Sequence, residues 1–209
     1  MKKHLTVTTV LITVVLCLFA EAAQAALSPQ QLERAWKRIS EAAGIETTSI
    51  TIEDKKEPNA WVRFSGSDHA VYVTTGLLKI LNKEDEIAGI LGHETGHIQL
   101  NHYGSTIGRN LLWALLFKNV KGDRNSELLA SLGVGLAESG FSREQEVEAD
   151  DYGIKLSVKA GYSAWGLVNA LEKMRDAGYE TSPSGFNSHP PTERRLQHIR
   201  ATARTYSQQ

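Results

Sequence analysis

The sequence feature that most constrains the fold is a pair of histidines, His93 and His97, with Glu94 beside the first of them. Residues four apart project from the same face of an α-helix, so a helix places both imidazoles within reach of one zinc ion. Ile90 and Leu100 continue this stripe, which predicts that the imidazoles face the interior or a cleft. Two buried neutral histidines without a partner are costly, and a bound metal removes that cost.

Glu94 projects beside the histidine pair rather than in line with it. From there its carboxylate can take a proton from a water molecule that the ion activates and deliver it to the leaving amine. The spacing His-Glu-x-x-His is therefore typical of a zinc peptidase. A chance occurrence of the motif is the alternative, and for Glu94 alone the alternative is an ordinary solvated helix carboxylate.

A catalytic zinc ion commonly takes three protein ligands and keeps one position for water, so the chain needs a third ligand. Glu146 and Asp150 follow a capping box at Ser142 and lie four residues apart on one predicted helix face. Glu146 can bind zinc there while Asp150 holds a ligand imidazole in place. A solvated pair of like charges is the alternative.

Three glutamates, Glu144, Glu146 and Glu148, compete for the role of third ligand. Each step of two residues turns about 200° on a helix, so Glu146 faces away from the other two. Because Glu146 alone has an aspartate four residues later, Asp150, we expect Glu146 to face the metal.

Gly89, Gly92 and Gly96 form a second stripe on the histidine helix. Glycine lowers helix stability by about 1 kcal/mol relative to alanine, so this stripe indicates either a closely crossing second helix or simple tolerance of glycine.

His102 follows His97 by five residues, about 140° further round a helix, so we predict that it points elsewhere and has a structural role.

The remaining patterns predict an α+β fold in which helices dominate. A helix opens at Ser28 with a capping box to Gln31 and stops at Gly44. Three short strands are predicted at 49–52, 61–64 and 70–73, and a turn at 65–68 joins the last two into a hairpin of a small antiparallel sheet. Further helices are predicted at 82–102, 142–161, 163–177 and 188–204. The apolar run at 111–117 is predicted to pack in the core, with a surface that meets membrane or substrate as the alternative.

The N-terminus has the pattern of a secretory signal peptide. Two lysines precede an apolar stretch at 5–20, and the small residues of Ala23-Gln24-Ala25 follow it. We predict cleavage after Ala25, which leaves one domain at 26–209 and removes the only cysteine, Cys17. A retained membrane anchor and lipid modification of Cys17 are the alternatives, although the stretch is short of the roughly 20 apolar residues of a full span.

Composition limits the classes of partner. The chain has 209 residues, 41% of them hydrophobic, which suits one domain with a buried core. Its formal net charge is −1, without the basic excess that phosphate backbones attract, so nucleic acid is not expected as a partner.

Several motifs together resemble the zinc metallopeptidases of the HtpX, BepA and CAAX-prenyl-protease type. They are His-Glu-Thr-Gly-His at 93–97, Ser-Arg-x-x-Glu-x-x-Ala-Asp at 142–150, and His189-Pro190 followed by Arg195. The similarity also takes in Asn59-Ala60 and the segments 71–77 and 86–89. It covers roughly residues 30–200.

The resemblance implies a zincin-like peptidase domain that binds one zinc ion per chain through His93, His97 and Glu146. It implies that Glu94 is the general base and that Asp150 supports a ligand. It also implies that His189 and Arg195 lie over the active site, where they steady the oxyanion or occlude the cleft.

The resemblance and the export signal together predict a zinc endopeptidase acting on unfolded or damaged cell-envelope proteins. The expected location is the periplasm of a Gram-negative bacterium, with peripheral membrane contact possible. The multi-span and helical-repeat segments of the similar branches have no counterpart here, which indicates a compact, soluble, exported member. The edge of the 70–73 strand is predicted to bind an extended peptide. The alternative function is a zinc-stabilised, chaperone-like binding protein with a closed cleft.

Overall fold

The computed structural model describes residues 26–65, 68–105, 141–179, 189 and 192–208. The predicted signal segment, the hairpin turn at 66–67, the apolar run at 111–117 and the residues on either side of His189 lie outside these ranges.

The described residues fold into helices around a small sheet, which confirms the helix-dominated α+β class. In chain order the elements are α1 (Pro29–Ala43), β1 (Ile50–Glu53), β2 (Ala60–Ser65), β3 (Asp68–Thr74), α2 (Thr75–Ile80), α3 (Glu84–Gln99), α4 (Arg143–Lys159), α5 (Gly166–Asp176) and α6 (Glu193–Ser207). None of the helices in the described ranges has the length and apolar character that a membrane span needs.

The predicted capping residues set two of the helix starts. The Ser28 and Ser142 side chains each accept from the backbone N–H three residues on, and both capping boxes are complete. Helix α3 begins at Glu84, two residues after the predicted start at 82, because the Glu86 carboxylate accepts the backbone N–H groups of Asn82 and Lys83. Helix α6 also begins later than predicted, since Thr192 rather than Ser188 is its cap.

The sheet is mixed rather than antiparallel, with the strand order β1-β3-β2. The β2–β3 pair is antiparallel as predicted, with Ser65 opposite Asp68. However, β1 pairs in parallel with the other side of β3, with Ile50 opposite Val71. The prediction that the 70–73 strand offers an edge to a peptide is therefore wrong, because β3 is hydrogen-bonded on both sides. Among the described strands, β1 and β2 are the edge strands.

Helix α3 lies at the centre of the helical part, and it is buried from Glu86 to His97. A Cβ added at Gly89 would lie 2.3 Å from Leu167 N on α5. Added at Gly92 it would lie 2.8 Å from Gly153 O on α4, and at Gly96 it would lie 3.0 Å from Ala149 Cα. The glycine stripe thus marks a close crossing of helices, and the alternative of loose tolerance is wrong.

Candidate metal centre

The crossing of α3 and α4 brings the predicted ligands together. His93 and His97 direct their Nε2 atoms at each other, 3.0 Å apart. Across the helix interface, Glu146 Oε1 lies 3.4 Å from His97 Nε2 and Glu146 Oε2 lies 3.7 Å from His93 Nε2. Both imidazoles are at most 1% exposed and Glu146 is 9% exposed, so these groups meet in the interior.

His189 completes the cluster from the segment before α6. Its Nδ1 lies 3.2 Å from His93 Nε2 and 2.7 Å from Glu146 Oε1. One nitrogen or oxygen from each of His93, His97, Glu146 and His189 lies within 4.8 Å of all the others.

The donor set and its spacing fit a zinc ion. Ligand atoms about 2.0–2.1 Å from a tetrahedral zinc ion are about 3.3 Å apart, close to the separations at this site. The buried Glu146 Oε2 has no hydrogen-bond partner, although Arg195 Nη1 lies 3.2 Å from it. A buried carboxylate oxygen of this kind is what a cation would satisfy.

Asp150 and Arg195 form a buried ion pair behind His93. Asp150 Oδ1 lies 2.9 Å from His93 Nδ1, the ring nitrogen that faces away from the cluster. Arg195 donates to both carboxylate oxygens of Asp150, Nε at 2.8 Å and Nη2 at 2.7 Å. Burial alone would raise the pKa of Asp150, but the guanidinium charge outweighs it and holds that pKa below its ordinary value. Arg195 Nη1 donates to the backbone oxygen of His189 at 2.7 Å, so this one side chain joins Asp150 of α4 to His189.

Glu94 is fully buried beside the cluster, and its Oε1 has no hydrogen-bond partner. The nearest opposing charge is His189, whose Nε2 lies 3.7 Å from Oε1. The Tyr103 hydroxyl donates to Oε2 over 3.4 Å. Burial raises the pKa of Glu94, and the neighbouring imidazoles only partly offset it. A carboxylate with a raised pKa suits proton transfer near neutral pH.

The protonation states of His97 and Glu146 suit metal binding. Burial lowers the pKa of His97 to about 2, so its imidazole is neutral. Burial would raise the pKa of Glu146, but the charges of His189 and Arg195 lower it, so its carboxylate stays charged. Neutral imidazole and charged carboxylate are the forms that bind a cation. Burial would lower the pKa of His189, but the carboxylates of Glu146 and Glu94 raise it.

Two aromatic residues were not predicted as part of the site. Phe141 stacks on the His97 ring, with centroids 3.8 Å apart and 20° between the planes. Tyr103 packs edge-on against Phe141 at 5.0 Å. Both residues lie outside α3 and α4, so no helical spacing in the sequence relates them to the motif.

His102 also lies beside the cluster, and the prediction that it points elsewhere is wrong. Its Nδ1 is 3.0 Å from His97 Nδ1. The predicted angle assumed a helix continuing to residue 102, whereas α3 ends at Gln99 and Asn101 has a left-handed backbone with φ of 54°. Of the competing glutamates, Glu144 is exposed, and Glu148, with a side chain 62% exposed, contacts His102 rather than the cluster.

Comparison with known proteins shows which sequences this chain is similar to. The sequence model described as Peptidase family M48 matches residues 26–203. Metalloprotease YcaL of Escherichia coli (strain K12) is 32% identical over an alignment of 175 positions that covers 78% of this chain and 66% of YcaL. Metalloprotease LoiP of the same organism is 32% identical over an alignment of 151 positions that covers 69% of this chain and 58% of LoiP. A Protease HtpX homolog of Pyrococcus furiosus is 27% identical over an alignment of 216 positions that covers 83% of this chain and 73% of that protein. The chain thus spans less than two thirds of the length of the first two relatives.

Proposed function

The chain belongs to peptidase family M48, and from this premise we propose that it is an endopeptidase that depends on one zinc ion per chain. The observation that carries the proposal is the buried cluster of His93, His97 and Glu146, with Glu94 beside it. Two imidazoles and a carboxylate are a donor set that zinc hydrolases use when a position is kept for water.

The roles of the residues follow from their positions. A zinc ion held by His93, His97 and Glu146 would polarise the scissile carbonyl and would lower the pKa of a water molecule towards about 7. Glu94 takes the proton of the attacking water on its carboxylate and passes it to the nitrogen of the leaving amine. Burial of Glu94 keeps bulk water from competing for that proton, and the Tyr103 hydroxyl helps to orient Oε2.

Arg195 acts as a positioning residue in this proposal. Its Nε, Nη1 and Nη2 all donate to protein groups, Asp150 and the His189 backbone. Nε and Nη2 hold Asp150 against His93, and Nη1 holds the backbone of His189. We therefore assign Arg195 a positioning role in place of the oxyanion contact that the resemblance implies.

His189 supplies the gate of the site. Four protein groups meet in the cluster, whereas a catalytic zinc ion needs three and a place for water. We infer that this arrangement is the closed form, and that His189 withdraws from Glu146 when a substrate enters.

The proposed substrate class rests on the edge strand β2, on the names of two relatives and on the signal pattern. Helix α3 lies against β2, and no further strand pairs with the outer side of β2 among the described strands. An extended polypeptide can pair with such an edge, and only an unfolded segment presents its backbone in this way. Two relatives are named metalloproteases. Together with the signal pattern at 1–25, these points support unfolded or damaged envelope proteins as substrates and the periplasm, with peripheral membrane contact, as the location.

A second candidate function rests on the same closed cluster. If His189 stays in place, the chain is a zinc-stabilised, chaperone-like binding protein with a shut cleft. The fully buried Glu94 favours the peptidase, since a binding protein has no need for a buried carboxylate beside the metal.

The test compares the mature wild-type chain with Glu94→Gln and His189→Ala in cleavage of unfolded casein, with bound zinc measured in each. We expect about one zinc per chain both in wild type and in Glu94→Gln. The wild-type protein should cleave casein, and a chelator should abolish that cleavage. Glu94→Gln should not cleave casein. His189→Ala should cleave faster than wild type because the fourth position is open. Casein binding without cleavage, in wild type and His189→Ala alike, would establish the binding protein instead. Turnover by chelator-cleaned, zinc-reloaded Glu94→Gln would exclude the role given to Glu94.

A further inference from the structure

We propose that His102 and Glu148 form a positioning dyad for His97, the counterpart of the Asp150–Arg195 pair that holds His93. The inference rests on the zinc site proposed above. It assigns a role to two residues that the family motif and the cleavage chemistry leave without one.

The two ligand imidazoles have different partners at their outer nitrogens. His93 Nδ1 faces the Asp150 carboxylate at 2.9 Å. His97 Nδ1 instead faces another imidazole, His102 Nδ1, at 3.0 Å. A ligand histidine nearly always donates its second N–H to an acceptor, because that bond fixes the orientation of the ring and its tautomer.

One set of protons satisfies the whole chain of contacts. His97 presents Nε2 to the cluster, so its proton is on Nδ1 and is donated to His102. His102 must then accept with a bare Nδ1 and carry its own proton on Nε2. That Nε2 lies 3.1 Å from Glu148 Oε2, a carboxylate that only accepts. The order is therefore His97, then His102, then Glu148, and the exposed carboxylate fixes the tautomer of the buried ligand.

The backbone after α3 is shaped to bring His102 to this place. The helix ends at Gln99, and Asn101 turns the chain with φ of 54°, a left-handed conformation that asparagine tolerates better than most residues. His102 is 3% exposed. Its backbone oxygen accepts from Ser105 Oγ at 3.0 Å and from Gln145 Nε2 at 3.4 Å, which ties the turn to the start of α4.

The residues that support the two ligand histidines differ in burial, so their contributions to zinc affinity should differ as well. Asp150 is fully buried, whereas the Glu148 side chain is 62% exposed, so solvent screens its charge. Removal of a residue that supports a ligand typically weakens metal affinity by about 10–100-fold. We expect His102 to fall in that range and Glu148 at or below its lower end.

The experiment measures zinc affinity by competition with a chromogenic chelator, the visible spectrum of the cobalt-loaded protein, and urea unfolding of the metal-free protein. His102→Phe removes the acceptor at similar size, and His102→Gln restores an acceptor oxygen. Glu148→Ala removes the outer carboxylate, and Glu148→Gln keeps an acceptor. Glu144→Ala is the matched control, because Glu144 is an exposed glutamate of the same helix one turn away from Glu148.

We expect His102→Phe to lose about 10–100-fold in zinc affinity and to shift the cobalt spectrum. His102→Gln should recover most of that affinity. Glu148→Ala should lose up to about 10-fold, while Glu148→Gln and Glu144→Ala match wild type, with the unfolding of metal-free Glu148→Ala unchanged.

Wild-type zinc affinity in His102→Phe would overturn the proposal. Equal losses in His102→Phe and His102→Gln, with metal-free proteins destabilised to the same extent, would also overturn it by showing that His102 only fills space. Failure of the wild-type chain to bind zinc or cobalt would instead remove the proposed metal site, and this inference with it.

Discussion

Substitution of Gly153 by alanine tests whether the distance between α3 and α4 sets the geometry of the site. A Cβ at this position would lie 2.6 Å from His93 N and 2.8 Å from His93 Cα. Carbon atoms in good contact are about 3.5–4.0 Å from their neighbours, so the two helices must separate by about 1 Å. The opposing atoms are backbone, and no change of rotamer relieves the clash.

The expected loss of stability has two opposing parts. Overpacking costs about 1–3 kcal/mol, and the upper end applies because the backbone cannot yield locally. Alanine returns about 1 kcal/mol through its higher helix propensity. The free energy of unfolding of metal-free Gly153→Ala should therefore fall by about 2 kcal/mol, measured by urea titration.

The effect on metal binding should exceed that on stability. Zinc ligand distances tolerate about ±0.2 Å, so a shift of about 1 Å of the α4 carboxylates displaces Glu146 and Asp150 far beyond that margin. We expect zinc affinity to fall by at least about 10-fold and peptide cleavage by about 10²-fold.

Gly44→Ala is the matched control. Gly44 has φ of 70° and nothing within 4 Å of an added Cβ, so alanine there costs about 1–2 kcal/mol through backbone strain, with no contact to the site. It should lose stability to a similar extent and keep wild-type zinc affinity. A Gly153→Ala protein that binds zinc as tightly as Gly44→Ala would show that the helix separation does not control the site.

Three further outcomes are expected. Arg195→Ala leaves the buried Asp150 without its cation, so the free energy of unfolding should fall by about 3–5 kcal/mol, and zinc affinity should fall as well. Wild-type values in urea and chelator titrations would contradict the positioning role of Arg195. Tyr103→Phe keeps the ring packing and removes the hydroxyl, which makes a long hydrogen bond to Glu94 and also bonds the Val62 backbone. We expect kcat to fall less than about 10-fold with zinc content unchanged, and a loss of zinc would refute this expectation. The mature chain should begin at Ala26, so the intact mass of the exported protein should lack residues 1–25, and a mass that includes Cys17 would exclude cleavage.

Local sequence signals were sufficient to predict much of the helical part of the fold. Side-chain caps and a left-handed glycine depend on residues within one turn, so Ser28, Gly44 and Ser142 could be identified from the sequence. The motif spacing likewise predicted that His93 and His97 share a face. The similarity to HtpX-type metallopeptidases rested on several such motifs, and the family match confirms it.

Features that depend on distant pairing could not be predicted in the same way. Whether β1 joins the sheet beside β2 or beside β3 depends on which edge the fold leaves open, and no residue of β1 encodes that choice. The position of His102 depended on where α3 ends, and its shift from the predicted face followed from one left-handed residue, Asn101. His189 was placed over the site by resemblance alone, since it lies 96 residues from His93 in sequence.

The glycine stripe determines which side chains can reach the histidines of the site. Helices with ordinary side chains at their contact lie about 8–10 Å apart, a separation that leaves little reach for a short aspartate. At this crossing Gly92 on α3 meets Gly153 on α4, and the backbones approach more closely than any side chain would permit. Asp150 therefore reaches His93 Nδ1 directly, and its carboxylate can be fully buried because Arg195 lies behind it. The glycines therefore lower helix propensity, but they allow the close approach of α3 and α4. Only through this approach can carboxylates on α4 complete the site that His93 and His97 begin on α3.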